Sequence, residues 1–274
     1  MMEEFVKTAG KESKREVQES YPLTNTQEGI FIECTANMGS TIYNIPYLLK
    51  LDNKVDLDRL AEAIDSTVEA HPYLKTRLFM DDNGNVLQKR NDGLSYKTPI
   101  LNGMNRDTLV RPYMLFNEQL FRFEIHRTCD GNYLFLDIHH IVADGTSLGI
   151  ILNDINRAYS GEKLEVEEYT SYDLALDNRE ALASDAYKNA ENYYKSVFEN
   201  AGGSINFYPD KSGAAPTAEM YHRETSEFSV QDVKAFCKKH GITENVFFIS
   251  AFGITLGKYN FQEGCGIYHY LPRQ

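Results

Sequence analysis

Residues 120–161 leave this chain few ways to fold. Leu120–Arg127 and Tyr133–Ile138 are runs rich in aromatic and branched apolar residues, and Asp130-Gly131 between them is a strong hairpin signal. The second run continues through His139-His140-Ile141-Val142-Ala143-Asp144-Gly145 into a segment where Leu148, Ile151, Leu152, Ile155 and Tyr159 recur at helical spacing. Thr146 or Ser147 is the expected cap of that helix, and Gly161 its stop.

Similar signals organise the rest. Ile45–Leu51 reads as a strand with Pro46 near its start, where proline is tolerated. A helix follows, capped by Asp56, with Leu57, Leu60, Ala61, Ile64 and Val68 on one face and His71-Pro72 at its end. Arg77–Met80 and Val86–Gln88 flank Asn83-Gly84, a second hairpin turn. The polar stretch Glu162–Thr170 reads as a linker between two lobes. Beyond it Tyr172–Asn200 is helical in pattern and closed by Gly202-Gly203, and Ser204–Pro216 is loop. Ser229–Asp232 has the form of a capping box and opens a helix that ends at Gly241. Thr243–Tyr259 is apolar almost all round, which predicts a buried helix, and Ile267–Leu271 predicts a short strand. Strands mixed with helices in this order predict an α/β (α+β two-layer) architecture. Its expected parts are a polar leader over 1–20, a first lobe over 21–171 and a second lobe over 172–274.

Charge narrows the partners. Lys and Arg number 28 against 40 Asp and Glu, giving a net charge of −12. Phosphate backbones and anionic bilayers are held by concentrated cations, so neither nucleic acid nor membrane is an expected partner. No run reaches the roughly 18 apolar residues of a membrane span. The opening MMEEFVKTAGKESKREVQES has charges where a secretory signal needs an apolar stretch, so the expected location is the cytoplasm. Cys34, Cys129, Cys237 and Cys265 form no C-x-x-C pair and are expected as reduced thiols.

The chemistry concentrates at residues 139–147. Strand alternation puts His140 on the face of Leu134, Leu136 and Ile138, and His139 on the face of Phe135 and Asp137. Only one of the two imidazoles can look into a given cavity. Because the two face apart and no third ligand is suitably spaced, no metal site is expected. Gly145 lets backbone approach a ligand, or take positive φ, just before a helix N-terminus. A histidine, a carboxylate (Asp144) and a backbone N–H beside a helix start are the parts of an acyl-transfer site. Two strand-end histidines satisfied within the core remain the plain alternative. Gly145-Thr146-Ser147-Leu148-Gly149 also fits the G-x-S-x-G pattern of a hydrolase nucleophile, but Ser147 lies past the turn that leaves the strand, and a helix cap is its ordinary role.

HHIVADG resembles the HHxxxDG signature of the condensation domains of non-ribosomal peptide synthetases, in the superfamily of chloramphenicol acetyltransferase. Tyr21-Pro22-Leu23-Thr24-Asn25-Thr26-Gln27-Glu28-Gly29-Ile30 is similar to the family's opening motif. His71-Pro72-Tyr73-Leu74-Lys75-Thr76-Arg77 is similar to its HExLRTRF segment, with Pro72 for the acidic residue and Lys75 for the first Arg. Gly264–Arg273 matches more loosely a later strand that ends in Arg.

This resemblance implies a chloramphenicol acetyltransferase-like fold, with the N-terminal lobe complete, the C-terminal lobe partial, and a tunnel where the lobes meet. It implies amide-bond formation between an acyl or peptidyl thioester on a donor carrier protein and the amine of an amino acid on an acceptor carrier. Both substrates ride on phosphopantetheine arms, no intrinsic cofactor is needed, and the chain is expected as part of a larger synthetase. Carried over, His140 is the catalytic histidine, His139 is structural, and Gly145 supplies an oxyanion N–H. Asp144 holds the loop by pairing with an Arg, for which Arg273 is the candidate. Thr146 stands where relatives often carry Trp, and with Ser147 it is expected along the substrate tunnel. The chain is shorter than such domains. That leaves a stand-alone acyltransferase using coenzyme A thioesters, or a truncated carrier-binding module without catalysis, as alternatives.

Overall fold

The structure, a computed structural model, describes residues 16–116, 118–199 and 229–259, with 222, 224 and 227. The chain divides into two compact units, Met1–Tyr187 and Lys188–Gln274.

In the first unit, a four-stranded sheet is built around the expected hairpin. Its strands are β2 (Asn44–Lys50), β5 (Ile100–Asn102), β6 (Phe121–Thr128) and β7 (Gly131–His139), in the order β2-β7-β6-β5. β6 and β7 pair antiparallel from Thr128↔Gly131 to Phe121↔Ile138. β5 joins β6 in parallel, a pairing that its three residues do not announce in sequence. A three-stranded sheet joins β1 (Tyr21–Pro22), β4 (Val86–Lys89) and β3 (Arg77–Met80), with Gly84 at φ 83° in the β3–β4 turn.

One face of the larger sheet carries the core. Phe121, Phe123 and Ile125 of β6 alternate with Arg122, Glu124 and His126, which point to the other side. Leu134, Leu136 and Ile138 of β7 complete the apolar face. Helix α2 (Leu57–Ala70) contributes Leu60, Ile64 and Val68, and helix α3 (Gly145–Tyr159) contributes Ile151 and Ile155 to the same cluster. Asp56 caps α2 as expected, accepting from the N–H groups of Asp58 and Arg59. Helix α1 (Asn25–Ala36) opens the unit with a capping box between Thr24 and Gln27.

The helical pattern over Tyr172–Asn200 resolves into two helices, α4 (Ser171–Ala183) and α5 (Asp185–Phe198). Ser184 breaks the run. Its backbone is extended, and its hydroxyl accepts from the N–H of Tyr187 at 3.1 Å, as a helix-starting serine does. Helix α4 lies in the first unit, where Tyr172 is buried, stacked on Tyr21 with ring centres 4.6 Å apart.

In the second unit, α6 (Val230–His240) has the expected Ser229–Asp232 capping box and ends at Gly241 in the left-handed region, φ 65°. Helix α7 (Glu244–Tyr259) forms where the apolar run predicts it, but it is not a buried helix. Phe248, Phe252 and Ile254 are exposed, and Gly257 is the buried residue of its length. An apolar circumference becomes buried only where other elements surround it; among the described residues Phe247 meets Phe236 of α6, with ring centres 5.5 Å apart. Gly202-Gly203, Ser204–Pro216, Cys265 and the strand expected at Ile267–Leu271 lie outside the described residues.

Candidate active site

β7 delivers the two histidines to different environments. His139 is the last residue of the strand and 4% exposed. Its Nδ1 accepts the N–H of Ile141 at 3.1 Å, which places the proton of a neutral ring on Nε2. Nε2 faces Cys34 Sγ at 3.6 Å. Burial, followed by the neighbouring His140 and Arg122, pulls the His139 pKa down to about 4, so the ring is neutral at physiological pH. Its only lone pair is thus committed to the backbone, which leaves the neutral ring no free nitrogen with which to take a proton.

His140 leaves the strand. Its N–H donates to the carbonyl of Tyr43 at 2.8 Å, and its side chain is exposed rather than packed with Leu134, Leu136 and Ile138 as simple alternation predicts. The rings of Tyr43 and His140 meet edge to face, 6.3 Å between centres. The turn is closed by the N–H of Val142 donating to the carbonyl of His139 at 3.0 Å.

Asp144, not Thr146 or Ser147, caps α3. Its Oδ1 accepts from the N–H of Ser147 at 2.8 Å, and Ser147 Oγ completes the box to the N–H of Asp144 at 3.2 Å. The Asp144 side chain reaches the N–H three residues on, so the helix starts earlier than its apolar spacing shows. The Ser147 N–H holds the Asp144 carboxyl below the usual range. Ser147 Oγ also donates to Asp144 Oδ1 at 2.8 Å, which occupies it within the cap and not beside a base. Asp144→Ala should cost about 1 kcal/mol of stability in urea unfolding. Because the folded pKa is lowered, that contribution is present above the ordinary carboxylate range and is lost as pH falls through the lowered value. The expected partner, Arg273, lies outside the described residues.

Gly145 is the first residue of α3 and does not take positive φ, so backbone freedom is not what a glycine supplies there. A Cβ placed there would meet nothing within 4 Å. As a first-turn residue, its N–H has no acceptor within the helix and lies at the positive end of the helix dipole. Thr146 beside it is exposed.

Behind the loop, a cleft of about 110 Å³ is lined by His71, Tyr73, Val142, Ser147, Ile151 and Glu167 among others. His71 Nε2 lies 2.9 Å from Asp154 Oδ2 and Nδ1 lies 3.5 Å from Glu167 Oε2. Glu167 foremost, with Asp154, raises the His71 pKa against the opposing effect of burial. A raised histidine pKa stabilises the fold fully below the ordinary value near 6.5, and the contribution is lost as pH rises through the raised value. His71→Gln should therefore flatten the decline of the urea midpoint as pH rises above the ordinary histidine value near 6.5.

The geometry thus joins an exposed imidazole, a helix-start N–H and open space beside it, over a capped and buried support. Sequence reasoning named His139, His140, Asp144, Gly145, Thr146 and Ser147 in this stretch. It missed Cys34 against His139 and Gln27 against the loop. The only signal for either was that Gln27 belongs to the opening motif.

Comparison with known proteins gives this arrangement a family. The model of the condensation domain matches residues 17–269. The chain is 28% identical over 258 residues to surfactin synthase subunit 2 of Bacillus subtilis (strain 168), covering 90% of the chain and 7% of that protein. It is 26% identical over 277 residues to tyrocidine synthase 3 of Brevibacillus parabrevis, covering 95% of the chain and 4% of that protein. Among solved structures it is similar to the condensation domain from the monacolin K polyketide synthase MokA, with a TM-score of 0.70 at 19% identity, over 90% of the chain and 61% of that one. It is also similar to the first condensation domain of the calcium-dependent antibiotic synthetase, with a TM-score of 0.65 at 15% identity, over 88% and 61%. The expected α/β fold is borne out by these likenesses. The chain spans a small part of the curated synthases and about three fifths of the solved domains.

Proposed function

The chain belongs to the condensation-domain family, and on that premise we propose that it acts in amide-bond formation between two carrier-bound substrates. A donor carrier presents an acyl or peptidyl thioester and an acceptor carrier presents an aminoacyl amine, each on a phosphopantetheine arm. The amine nitrogen attacks the thioester carbonyl. A C–N bond forms and the C–S bond breaks. The amine proton passes to His140 and then to the leaving thiolate, so the products are an amide on the acceptor carrier and a free thiol on the donor. The Gly145 N–H stabilises the developing oxyanion. Asp144 holds the turn in place, and Thr146 and Ser147 border the path of the substrate arm. The larger synthetase that supplies the carriers, and a cytoplasmic setting that keeps thiols such as Cys34 reduced, are parts of the same proposal.

The observation that carries this reading is the division of labour between the histidines. His139 gives its lone pair to the N–H of Ile141, so the exposed His140 is the imidazole of the pair that can take a proton. The test supplies the native polypeptide with an acyl-loaded donor carrier and either an aminoacyl-loaded carrier, free coenzyme A, or a small alcohol. Amide appearing only with the loaded acceptor supports condensation. Acyl transfer to coenzyme A or alcohol at equal rate supports the stand-alone acyltransferase instead. Carrier binding without any transfer supports the non-catalytic module.

A further inference from the structure

The proposed reaction needs His140 held at a fixed height beside the reacting atoms, although its own side chain is exposed. Support comes from far along the chain. Gln27 Nε2 donates to the carbonyl of Ile141, the residue after His140, at 2.8 Å across a separation of 114 positions. The same Nε2 donates to Tyr73 Oη at 2.6 Å. Tyr73 Oη donates to Gln88 Oε1 at 2.7 Å, and Gln88 Nε2 returns to Gln27 Oε1 at 3.3 Å. Gln27 Oε1 also accepts the N–H of Thr24 at 2.9 Å, and Gln88 Nε2 reaches the carbonyl of Pro22 at 2.8 Å.

The result is a closed, buried ring of three side chains, with Gln88 fully buried and Gln27 and Tyr73 each 6% exposed. A primary amide has two donor hydrogens and two acceptor lone pairs. Gln27 uses all four. Turning its amide over would set oxygen against the Ile141 carbonyl and NH₂ against the Thr24 N–H, so the ring fixes its direction. The capping box of α1 requires only Oε1. The bond to Ile141 is additional to the cap and falls on the loop that carries His140.

From this geometry we infer that Gln27 is a positioning residue for the reaction, setting the place of His140 through the Ile141 carbonyl, with Tyr73 and Gln88 as its brace. The role rests on the condensation reading above. It brings together three segments: the opening motif with Gln27, the HPYLKTR segment with Tyr73, and HHIVADG with Ile141. Displacements of about 1 Å in a reacting constellation can cost 10²-fold in rate.

The test is single-turnover transfer between pre-loaded carriers, using the native polypeptide. Gln27→Met should lower the transfer rate by about 10- to 100-fold while changing the apparent affinity for either loaded carrier by less than about twofold. Ile64→Val, a core change in α2 outside the Gln27–Tyr73–Gln88 ring, serves as a stability control and should keep the wild-type rate. Equal rates in Gln27→Met and the control, or a loss confined to carrier affinity, would overturn the inference. Gln27→Glu carries the same test if the Met variant does not fold. It keeps the acceptor for Thr24 but can donate toward Ile141 only when protonated, so its deficit relative to wild type should narrow as pH falls. A pH-independent deficit would contradict positioning. His140→Ala run alongside separates the claims. Full activity in that variant removes His140 from the mechanism, and the need to position it with it, whereas loss there with full activity in Gln27→Met overturns the positioning role alone.

Discussion

Replacing His140 with Ala should lower the single-turnover rate of amide formation by about 10²–10⁴-fold, the usual contribution of a positioned general base. The loss stops there for two reasons. Holding amine and thioester in line can supply roughly 7–11 kcal/mol of the barrier without any imidazole. An α-amine with a pKa near 7.7–8.0 is also partly neutral at cellular pH. In the proposed mechanism His140 orients the amine and takes its proton late, as the C–N bond forms, rather than creating the nucleophile. His139→Ala should behave differently. It removes a buried ring that accepts from Ile141 and faces Cys34, so stability and activity should fall together. Near-wild-type transfer in His140→Ala would remove the histidine from the mechanism.

The largest expected stability effect lies under the same strand. Asp137 is fully buried on the face shared with His139, and its cross-strand partner is Arg122. Arg122 Nη1 lies 3.1 Å from Asp137 Oδ2, which also accepts from Asn44 Nδ2 at 2.8 Å. Arg122 further donates to the carbonyls of Arg111 at 2.7 Å and Pro112 at 2.9 Å, and its guanidinium sits 3.6 Å from the centre of the Tyr113 ring. Among the described residues Asp137 Oδ1 has no hydrogen-bond partner. Burial already pushes the Asp137 pKa up, with Asn44 and Arg122 opposing.

Arg122→Met leaves that carboxylate buried and largely uncompensated, so unfolding by urea should show a loss of roughly 3–5 kcal/mol at neutral pH. A carboxyl with a raised folded pKa binds its proton more tightly in the folded state. Its penalty is therefore absent below the ordinary carboxylate range and grows as pH rises through the raised value. Acidification should restore part of the stability of Arg122→Met relative to wild type. Asp137→Asn should cost less, because Arg122 keeps its two carbonyl acceptors and Glu118 at 3.2 Å. Equal costs for the two variants, or no relief by acid in Arg122→Met, would mean that the buried charge is not what the arginine offsets.

What sequence revealed of this fold depended on how local the cause was. The hairpin at Asp130-Gly131, the cap at Asp56 and the box at Ser229 were legible because turn and cap chemistry acts within four residues. β1 and β5 were not, since strands of two and three residues are too short for alternation to register. The break at Ser184 was hidden because Ala181, Leu182, Ala183 and Ala186 around it favour helix. Exposure of α7 was hidden because an apolar sequence cannot say what will cover it. At the site, HHIVADG located the histidines, but strand alternation misjudged His140, which lies one residue past the end of β7 and is exposed. Asp144 as a cap required the three-dimensional reach of its carboxylate to Ser147. The Gln27–Tyr73–Gln88 ring joins residues up to 61 positions apart, and no periodicity marks such a contact.

The most direct measurement of the central claim follows the acyl group itself. The native polypeptide is mixed with acyl-loaded donor and aminoacyl-loaded acceptor carriers, quenched during the first turnover, and every protein is weighed by intact mass spectrometry. Direct attack assisted by His140 predicts that the acyl mass leaves the donor and appears on the acceptor, with none on the polypeptide at any time. An acyl adduct on the polypeptide, whether at Ser147, Cys34 or elsewhere, that forms and decays at the rate of transfer would contradict it.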